Sequence, residues 1–317
     1  MSWLLLGIPV GVVLLYYCSD WVVAGAKSLA LRLGVRPFVV GITVVAFGVC
    51  IPETATSLLS GSNPDIIAGD IVGSNIANVG LVVGISAVIA AVPCKFSSVR
   101  FEALFMLAAV CVAAGLSLGG FLGWPQGIIL ICMLLFFIVY EFRHPGDVPD
   151  EEKEISRDDT MSAWKCLVMI AVGIAGVYIG ARLFIKGAVD LAGIIGVSDQ
   201  FIGLVVIALG GALPEMFVSC MAAFRGETEI SLSNILGSIT FNTLLALPMG
   251  AIFVGAPISD TMLYFHMPFM IAMCVLLVLT VRYKGCITKR IGSAYVLLYF
   301  VYLALMVAEP GLTQGIV

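Results

Sequence analysis

Two six-residue stretches decide how this chain folds: Gly48-Val49-Cys50-Ile51-Pro52-Glu53 and Gly210-Gly211-Ala212-Leu213-Pro214-Glu215. Each places a Pro-Glu pair in the middle of an apolar run. Proline inside a helix leaves the carbonyl four residues earlier without its amide partner, and glycine loosens the same turn. The freed carbonyl oxygens then point into the surrounding bundle. A carboxylate at membrane depth costs about 3 kcal/mol on insertion scales, so two acids at matching depth need a cation, a proton or a basic partner. No Lys or Arg lies at comparable depth on these two helices.

The two stretches belong to a duplication. Sliding the chain by 162 residues pairs 25–57 with 187–219, and 13 of the 33 positions are identical, among them Gly34/Gly196, Gly41/Gly203, Ala46/Ala208, Gly48/Gly210, Pro52/Pro214, Glu53/Glu215 and Ser57/Ser219. The chance level for such apolar compositions is roughly one in ten. At an offset of 164 the match resumes with Ile71/Ile235, Gly73/Gly237, Ser74/Ser238, Asn78/Asn242 and Leu81/Leu245. The first repeat is two residues shorter between its glutamate and its Gly-Ser. That predicts a bent outer end of the second helix or a shortened loop at 61–65.

The surroundings are lipid-compatible throughout. Of 317 residues, 61% are hydrophobic and 11% charged, and the mean hydropathy is +1.13. Soluble domains carry roughly 25% charged residues, so the chain belongs in a bilayer with lipid as its surroundings. The net charge is -4, and the basic residues sit in short connections, which argues against nucleic acid binding. Nine cysteines show no CxxC and no zinc-finger spacing, and two histidines without HExxH argue against a His-ligated metalloenzyme. The apolar N-terminal run is expected to be a first helix and not a cleaved signal.

A spanning helix needs about 20 apolar residues. Ten candidates follow, at 3–26, 37–61, 65–92, 99–119, 124–141, 163–186, 200–224, 229–255, 261–281 and 290–308. The expected fold is an all-α integral membrane protein of about ten helices in two inverted five-helix repeats, with broken helices at the midplane. Five being odd, the second copy enters the membrane from the opposite side, which puts a substrate site between the repeats. The repeats are expected at 1–142, with its motif at 41–84, and 163–317, with its motif at 203–250. A charged linker, 143–162, joins them. Fourteen of the 16 Lys and Arg fall on one side of this layout, leaving Arg182 and Lys186 within or beyond the sixth span. The positive-inside rule makes that side cytoplasmic and both termini external, in what is expected to be a prokaryotic plasma membrane.

The chemistry expected at the two stretches is hard-cation binding. Glu53, Glu215 and the carbonyls of Val49 and Gly211 form an all-oxygen set, and Ca2+ takes about 6 to 8 oxygen ligands. The partner helices carry Gly69-Asp70-Ile71-Val72-Gly73-Ser74-Asn75 with Asn78, and Ser233-Asn234-Ile235-Leu236-Gly237-Ser238-Ile239 with Asn242. Ser74 with Asn78, and Ser238 with Asn242, are spaced four apart and face one way. Their oxygens can flank the glutamates. The plainer alternative is that these residues only allow close helix packing and interhelical hydrogen bonds, with both glutamates protonated bridges.

Over nearly its whole length the chain resembles the sodium/calcium exchangers of the calcium/cation antiporter superfamily, of the prokaryotic type without a large cytoplasmic regulatory loop. The family's first signature, roughly G-T-S-x-P-E followed by G-N-x-x-G-S-N, is matched at Gly48, Pro52, Glu53, Gly69, Gly73, Ser74 and Asn75. The second repeat matches at Gly210, Pro214, Glu215, Asn234, Gly237 and Ser238. The resemblance implies Ca2+ bound by Glu53 and Glu215, with backbone carbonyls one turn earlier. It also implies a first and a sixth helix that slide across the bundle to alternate access.

Departures from the pattern bear on the second ion. Where the family has Thr-Ser hydroxyls that help hold sodium, this chain has Val49-Cys50 and Gly211-Ala212. Asn242 stands where sodium exchangers typically carry Asp. Sodium needs several well-placed neutral oxygens, so proton coupling stands beside sodium coupling. Asp70 replaces the usual Asn; with Ala46 and Ala208 it is a candidate for the ion path, or else a solvated carboxylate favoured by a helix start. Asp20 is expected to pair with Arg182 across the symmetry axis. The sequence thus predicts an antiporter of Ca2+ against Na+ or H+, without cofactor, whose partners are small inorganic cations. An exchanger of the same fold with a changed cation is the alternative. An intramembrane hydrolase lacks its nucleophile and base.

Overall fold

The computed structural model describes residues 6–59, 65–144, 161–194 and 211–308. Its helices are α1 (Gly7–Leu33), α2 (Pro37–Val49), α3 (Ile51–Leu59), α4 (Ile67–Ile89), α5 (Phe96–Leu116), α6 (Trp124–Arg143), α7 (Ala163–Ile194), α8 (Leu213–Phe224), α9 (Thr228–Phe253), α10 (Met262–Lys284) and α11 (Lys289–Ala308). Eight of them are long and apolar enough to cross a bilayer among the described residues. The α2–α3 pair, bent by 40°, makes a ninth, and α8 is a shorter apolar helix of 12 residues. The first part of the expected seventh span, 200–210, lies outside the described residues, as do the loop at 60–64 and linker residues 145–160.

Two inverted repeats account for the small strand pairs. β1 (Val92–Pro93) pairs antiparallel with β4 (Cys286–Ile287), and β2 (Phe121–Leu122) with β3 (Ala256–Pro257). Shifting by 164 carries β1 onto β3, and 165 carries β2 onto β4. Each ladder therefore joins one connection from each repeat, and the pseudo-two-fold exchanges the two ladders.

α4 and α9 form the centre. In each, 83% of the apolar window is buried, against 33% in α1 and 28% in α7. The last two instead lie against one another with broad lipid-facing surfaces, including Val10, Val13, Tyr17 and Trp21 on α1 and Val172 and Ile179 on α7. Glycines bring them together. A Cβ on Gly11 would stand 2.7 Å from the Gly180 carbonyl oxygen and 2.8 Å from the Phe184 nitrogen, and one on Gly173 would stand 2.7 Å from Val22 and 2.9 Å from the Cys18 carbonyl oxygen. Between helices in lipid there is no hydrophobic driving force, so backbone approach of this kind supplies the packing.

α1 and α7 run further than the charge pattern predicts, to Leu33 and Ile194 instead of 26 and 186. The expectation ended the first span just before Lys27 and the sixth at Lys186. Lys27 in fact stays helical and reaches Glu227 at 2.5 Å, since a long cationic stem can extend from an apolar helix to a polar partner. Gly34, at φ 69°, ends α1 in the left-handed cap that glycine favours.

The Asp20–Arg182 pairing does not occur. Asp20 Oδ1 instead accepts from Arg225 Nε at 2.7 Å, while Arg182 Nε and Nη2 donate to the Tyr178 hydroxyl at 3.0 and 2.9 Å. The reason is register. Gly11 meets Gly180, and Cys18 meets Gly173, so α1 and α7 are antiparallel with paired numbers summing to about 191. Asp20 therefore faces the level of residue 171, about 11 residues or roughly 16 Å along the axis from Arg182.

Substituting Gly11 by Leu should force the two backbones apart and lower the apparent Tm in detergent by about 5 °C or more. Gly193→Ala, at a position with nothing among the described residues within 4 Å of the new Cβ, should leave Tm within about 1 °C. A thermal-shift assay on the purified variants checks both.

Candidate ion-binding site

The site is built by two backbone breaks at matching positions. Cys50, between α2 and α3, has φ -86° and ψ -1°; Ala212, before α8, has φ -85° and ψ -6°. These values fall in the sparsely populated bridge between helix and strand, a region that active-site residues frequent. Each break is followed within two residues by proline, and each glutamate then falls in the first turn of a new helix. A helix N-terminus favours negative charge. The same geometry ends α2 at Val49, whose end of the helix presents carbonyl oxygens to a cation.

Both glutamates are buried, Glu53 at 4% and Glu215 at 1% exposure. No ion pair engages either of them among the described residues. Glu53 Oε2 and both carboxylate oxygens of Glu215 find no hydrogen-bond partner there, and the same holds for Ser238 Oγ and for the side-chain nitrogen and oxygen of Asn78 and of Asn242. Buried polar groups are almost always paired. A concentration of unpaired oxygens at one level of the bundle is therefore a donor set that fits a hard cation with oxygen ligands.

The neighbours of Gly211 bring three helices to one point. A Cβ there would stand 2.5 Å from Ser74 Oγ, 3.7 Å from Glu53 Oε1 and 3.8 Å from Asp70 Oδ1. Ser74 and Ser238 are buried, on α4 and α9, and Val49 is 1% exposed behind Glu53. Cys50 Sγ lies 3.7 Å from the Ser238 carbonyl oxygen and donates to it, and the Cys50 carbonyl accepts from Thr54 N and Oγ1 at 3.1 and 3.0 Å. The thiol thus fastens the break to α9. Ala46 is fully buried, facing Gly237, and its carbonyl accepts the Cys50 N–H at 3.1 Å, so it packs the break. Ala208 lies outside the described residues. Among the described residues no three His, Cys, Asp or Glu gather closely enough to hold one metal ion, which leaves neutral oxygens to complete any coordination shell.

Several features escaped the sequence pattern. π-helical turns begin at Asn78 (Asn78–Val82) and at Asn242 (Asn242–Ala246), again at symmetry-related positions. Such turns frequently mark functional sites, and only the repeated Asn signals them in the sequence. Asn75 Nδ2 donates to Thr243 Oγ1 at 3.0 Å and lies 3.6 Å from Met270 Sδ, so it bridges α4 to α9 and α10. Asn234 Nδ2 donates to Ser219 Oγ at 2.9 Å and to the Glu215 carbonyl at 3.5 Å, holding α9 to α8 behind the glutamate. His266 Nδ1 and the Tyr302 hydroxyl are 2.9 Å apart in a buried pair away from the repeat motifs.

Inverted repeats that bury two unpaired acids at broken helices define a secondary transporter for cations. The comparisons with known proteins place the chain more closely. The family model described as sodium/calcium exchanger protein matches residues 3–143 and 165–308, and the chain belongs to this family. It is 32% identical over 296 residues to an uncharacterized membrane protein of Methanocaldococcus jannaschii, covering 93% of this chain and 95% of that one. It is 25% identical over 336 residues to the sodium/calcium exchanger MaX1 of Methanosarcina acetivorans, covering 93% and 96%. A solved structure of the sodium-calcium exchanger NCX_Mj, soaked without Na+ and Ca2+, superposes with a TM-score of 0.83 at 30% identity, over 98% of this chain and 99% of that one.

The Asn234–Ser219 clamp gives a direct test of the local packing. Asn234→Ala should cost about 1 to 2 kcal/mol and lower Tm by several degrees in a thermal-shift assay, because the Ser219 hydroxyl loses its partner at 0% exposure.

Proposed function

We propose that the protein moves Ca2+ across the membrane in exchange for a monovalent cation, Na+ or H+, by alternating access, with Glu53 and Glu215 as the charged ligands of Ca2+. The observation that carries this reading is the matched pair of buried glutamates, each following a helix break and each left with unpaired oxygens. The carbonyls of Val49 and Gly211 and the side chains of Ser74, Ser238, Asn78 and Asn242 supply the neutral oxygens. Two carboxylates balance one divalent ion. When Ca2+ leaves, that charge must be replaced by sodium ions or by protons on the same acids, and this requirement couples the two fluxes.

The moving part in this reading is the α1–α7 pair. Glycine packing makes it one body, and its lipid-facing sides leave room to slide. The Lys27–Glu227 and Arg225–Asp20 ion pairs tie α1 to the turn after α8 and would have to be remade in the alternate state. The segregation of Lys and Arg supports external termini and a cytoplasmic linker at 143–162 between the repeats at 1–142 and 163–317, in a prokaryotic plasma membrane.

Proton coupling is favoured by a specific observation. Val49, Cys50, Gly211 and Ala212 remove four side-chain hydroxyls that the family pattern places around sodium, and Cys50 is committed to the Ser238 carbonyl. Sodium thus has four fewer hydroxyl oxygens around it than the family pattern supplies, whereas a proton needs only one carboxylate oxygen.

Purified protein in proteoliposomes should take up 45Ca2+ under an outward H+ gradient or an outward Na+ gradient. Glu53→Gln and Glu215→Gln should each reduce that flux at least a hundredfold while Tm stays within a few degrees. Wild-type flux in either folded variant would remove the central assignment. Driving uptake separately with Na+ at fixed pH and with a pH gradient in the absence of Na+ separates the two couplings. A variant carrying Val49→Thr, Cys50→Ser, Gly211→Thr and Ala212→Ser together should gain sodium dependence. Unchanged ion dependence in that variant, properly folded, would count against the hydroxyl explanation.

A further inference from the structure

The pseudo-two-fold is broken beside the glutamates, at Asp70 and Asn234. These residues occupy the same position of the two repeats, four before the Ser of each Gly-Ser. In the second repeat the amide of Asn234 holds Ser219 and the Glu215 backbone, as described above. The counterparts of those two residues are Ser57 and Glu53. Ser57 is 1% exposed, and its hydroxyl has no hydrogen-bond partner among the described residues. A carboxylate at position 70 has no N–H with which to reproduce the clamp.

Asp70 is directed elsewhere. Its Oδ1 approaches Gly211 from the same side as Ser74 Oγ and Glu53 Oε1, at 3.8 Å from the point that a Gly211 Cβ would occupy; the other two stand 2.5 and 3.7 Å from that point. The two carboxylate oxygens are thus at most 7.5 Å apart, the sum of 3.7 and 3.8 Å, with the Ser74 hydroxyl close by. Asp70 is also within Coulombic reach of Glu53, Glu215 and Arg182. Glu53 Oε2, on a side chain only 4% exposed, is unpaired beside this cluster.

We propose that Asp70, Ser74 and Glu53 form a second cation station over Gly211, adjoining the paired-glutamate site and handing a hard, partly hydrated cation to Glu53. It rests on the cation-exchange reading and adds to it a third charge and a named route. The absence, among the described residues, of three acids around a single point fits a neighbouring station, where water completes the shell, better than a third ligand on the same ion. Arg182, whose guanidinium donates to the Tyr178 hydroxyl on α7, is a fixed cation within Coulombic reach of Asp70.

Asp70→Asn separates this role from a structural one, because it removes the charge while offering Ser57 the N–H that Asn234 gives Ser219. Tm should stay unchanged or rise by about 1 to 3 °C. The Ca2+ concentration for half-maximal 45Ca2+ uptake should rise about tenfold with kcat within twofold. Coulomb energy scales with the charge of the ion, so the Na+ concentration that half-inhibits uptake should rise only about threefold, the square root of the Ca2+ factor. Asp70→Glu, which keeps the charge, should keep the Ca2+ value within about threefold of wild type. An unchanged Ca2+ requirement in Asp70→Asn would overturn the station and leave the exchanger reading intact. A lower Tm with parallel loss of flux in both variants would overturn it in favour of a structural role, and absence of 45Ca2+ flux in the wild type under either gradient would overturn both readings.

Discussion

Two buried carboxylates, without a basic partner among the described residues, are the constraint on which the rest of the structure depends. An uncompensated charge there is costly, and the chain reduces that cost by local means. Each glutamate opens a new helix, where the dipole favours it, and each follows a break that turns carbonyl ends toward the same space. Ser238, Asn78 and Asn242 surround the space with polar atoms that find no partner among the described residues, and Ser74 is buried beside them. Full internal pairing would have produced a stable core and no cation site. The structure keeps instead a set of oxygens whose best partner is a transient one.

The same constraint explains the division of the helices. α4 and α9 sit at the centre because they carry the polar atoms that must be kept from lipid, and their π-helical turns at Asn78 and Asn242 rotate the rest of each helix against the bundle. α1 and α7 carry no part of the glutamate motif. Their interface is made by glycines and small side chains, with the backbones close enough that an added Cβ would collide. Interfaces of that kind depend on shape, so the pair behaves as one body. Its attachment to the remainder includes ion pairs at 2.5 and 2.7 Å, which are partly exposed and individually weak. In the proposed exchange these are the contacts that a rigid-body movement of the pair would have to remake.

Much of this was legible in the sequence because duplication writes the same physics twice. A Pro-Glu pair in one apolar run is ambiguous; the same pair 162 residues later, with Gly-Ser and Asn following, fixes the repeat, the inversion and the two acids. Helix ends were less legible. Lys27 marks a charge but not a boundary, since its stem lets the ammonium reach Glu227 while the backbone stays helical. The Asp20–Arg182 pairing failed for another reason: repeat alignment matches positions related by symmetry, whereas contact between antiparallel helices depends on register. The clamp made by Asn234 and the bridge made by Asn75 were invisible because a carboxamide on a packed helix face has several partners within reach, and only the fold selects among them.

Symmetry and its violations serve different ends here. Alternating access requires two states, open to opposite sides, that differ by only a few kcal/mol, because an ion can shift the balance by no more than its differential affinity for them. Inverted repeats meet this requirement from the start, since exchanging the conformations of the two halves turns one state into the other. The paired breaks at Cys50 and Ala212, the paired π-turns and the exchanged strand ladders belong to this symmetric scaffold. In the proposed exchange, ion choice and direction cannot come from symmetry and fall to the positions where the halves differ. Val49 faces Gly211 in the alignment, Asn75 faces Ile239 and Asp70 faces Asn234. The first difference lets the Ser74 hydroxyl approach the backbone closely on one side of the site alone, the second ties only α4 across to Thr243, and the third adds charge on one side of the axis. A mutation that restored symmetry at these positions would leave the scaffold able to alternate while changing which ion it carries.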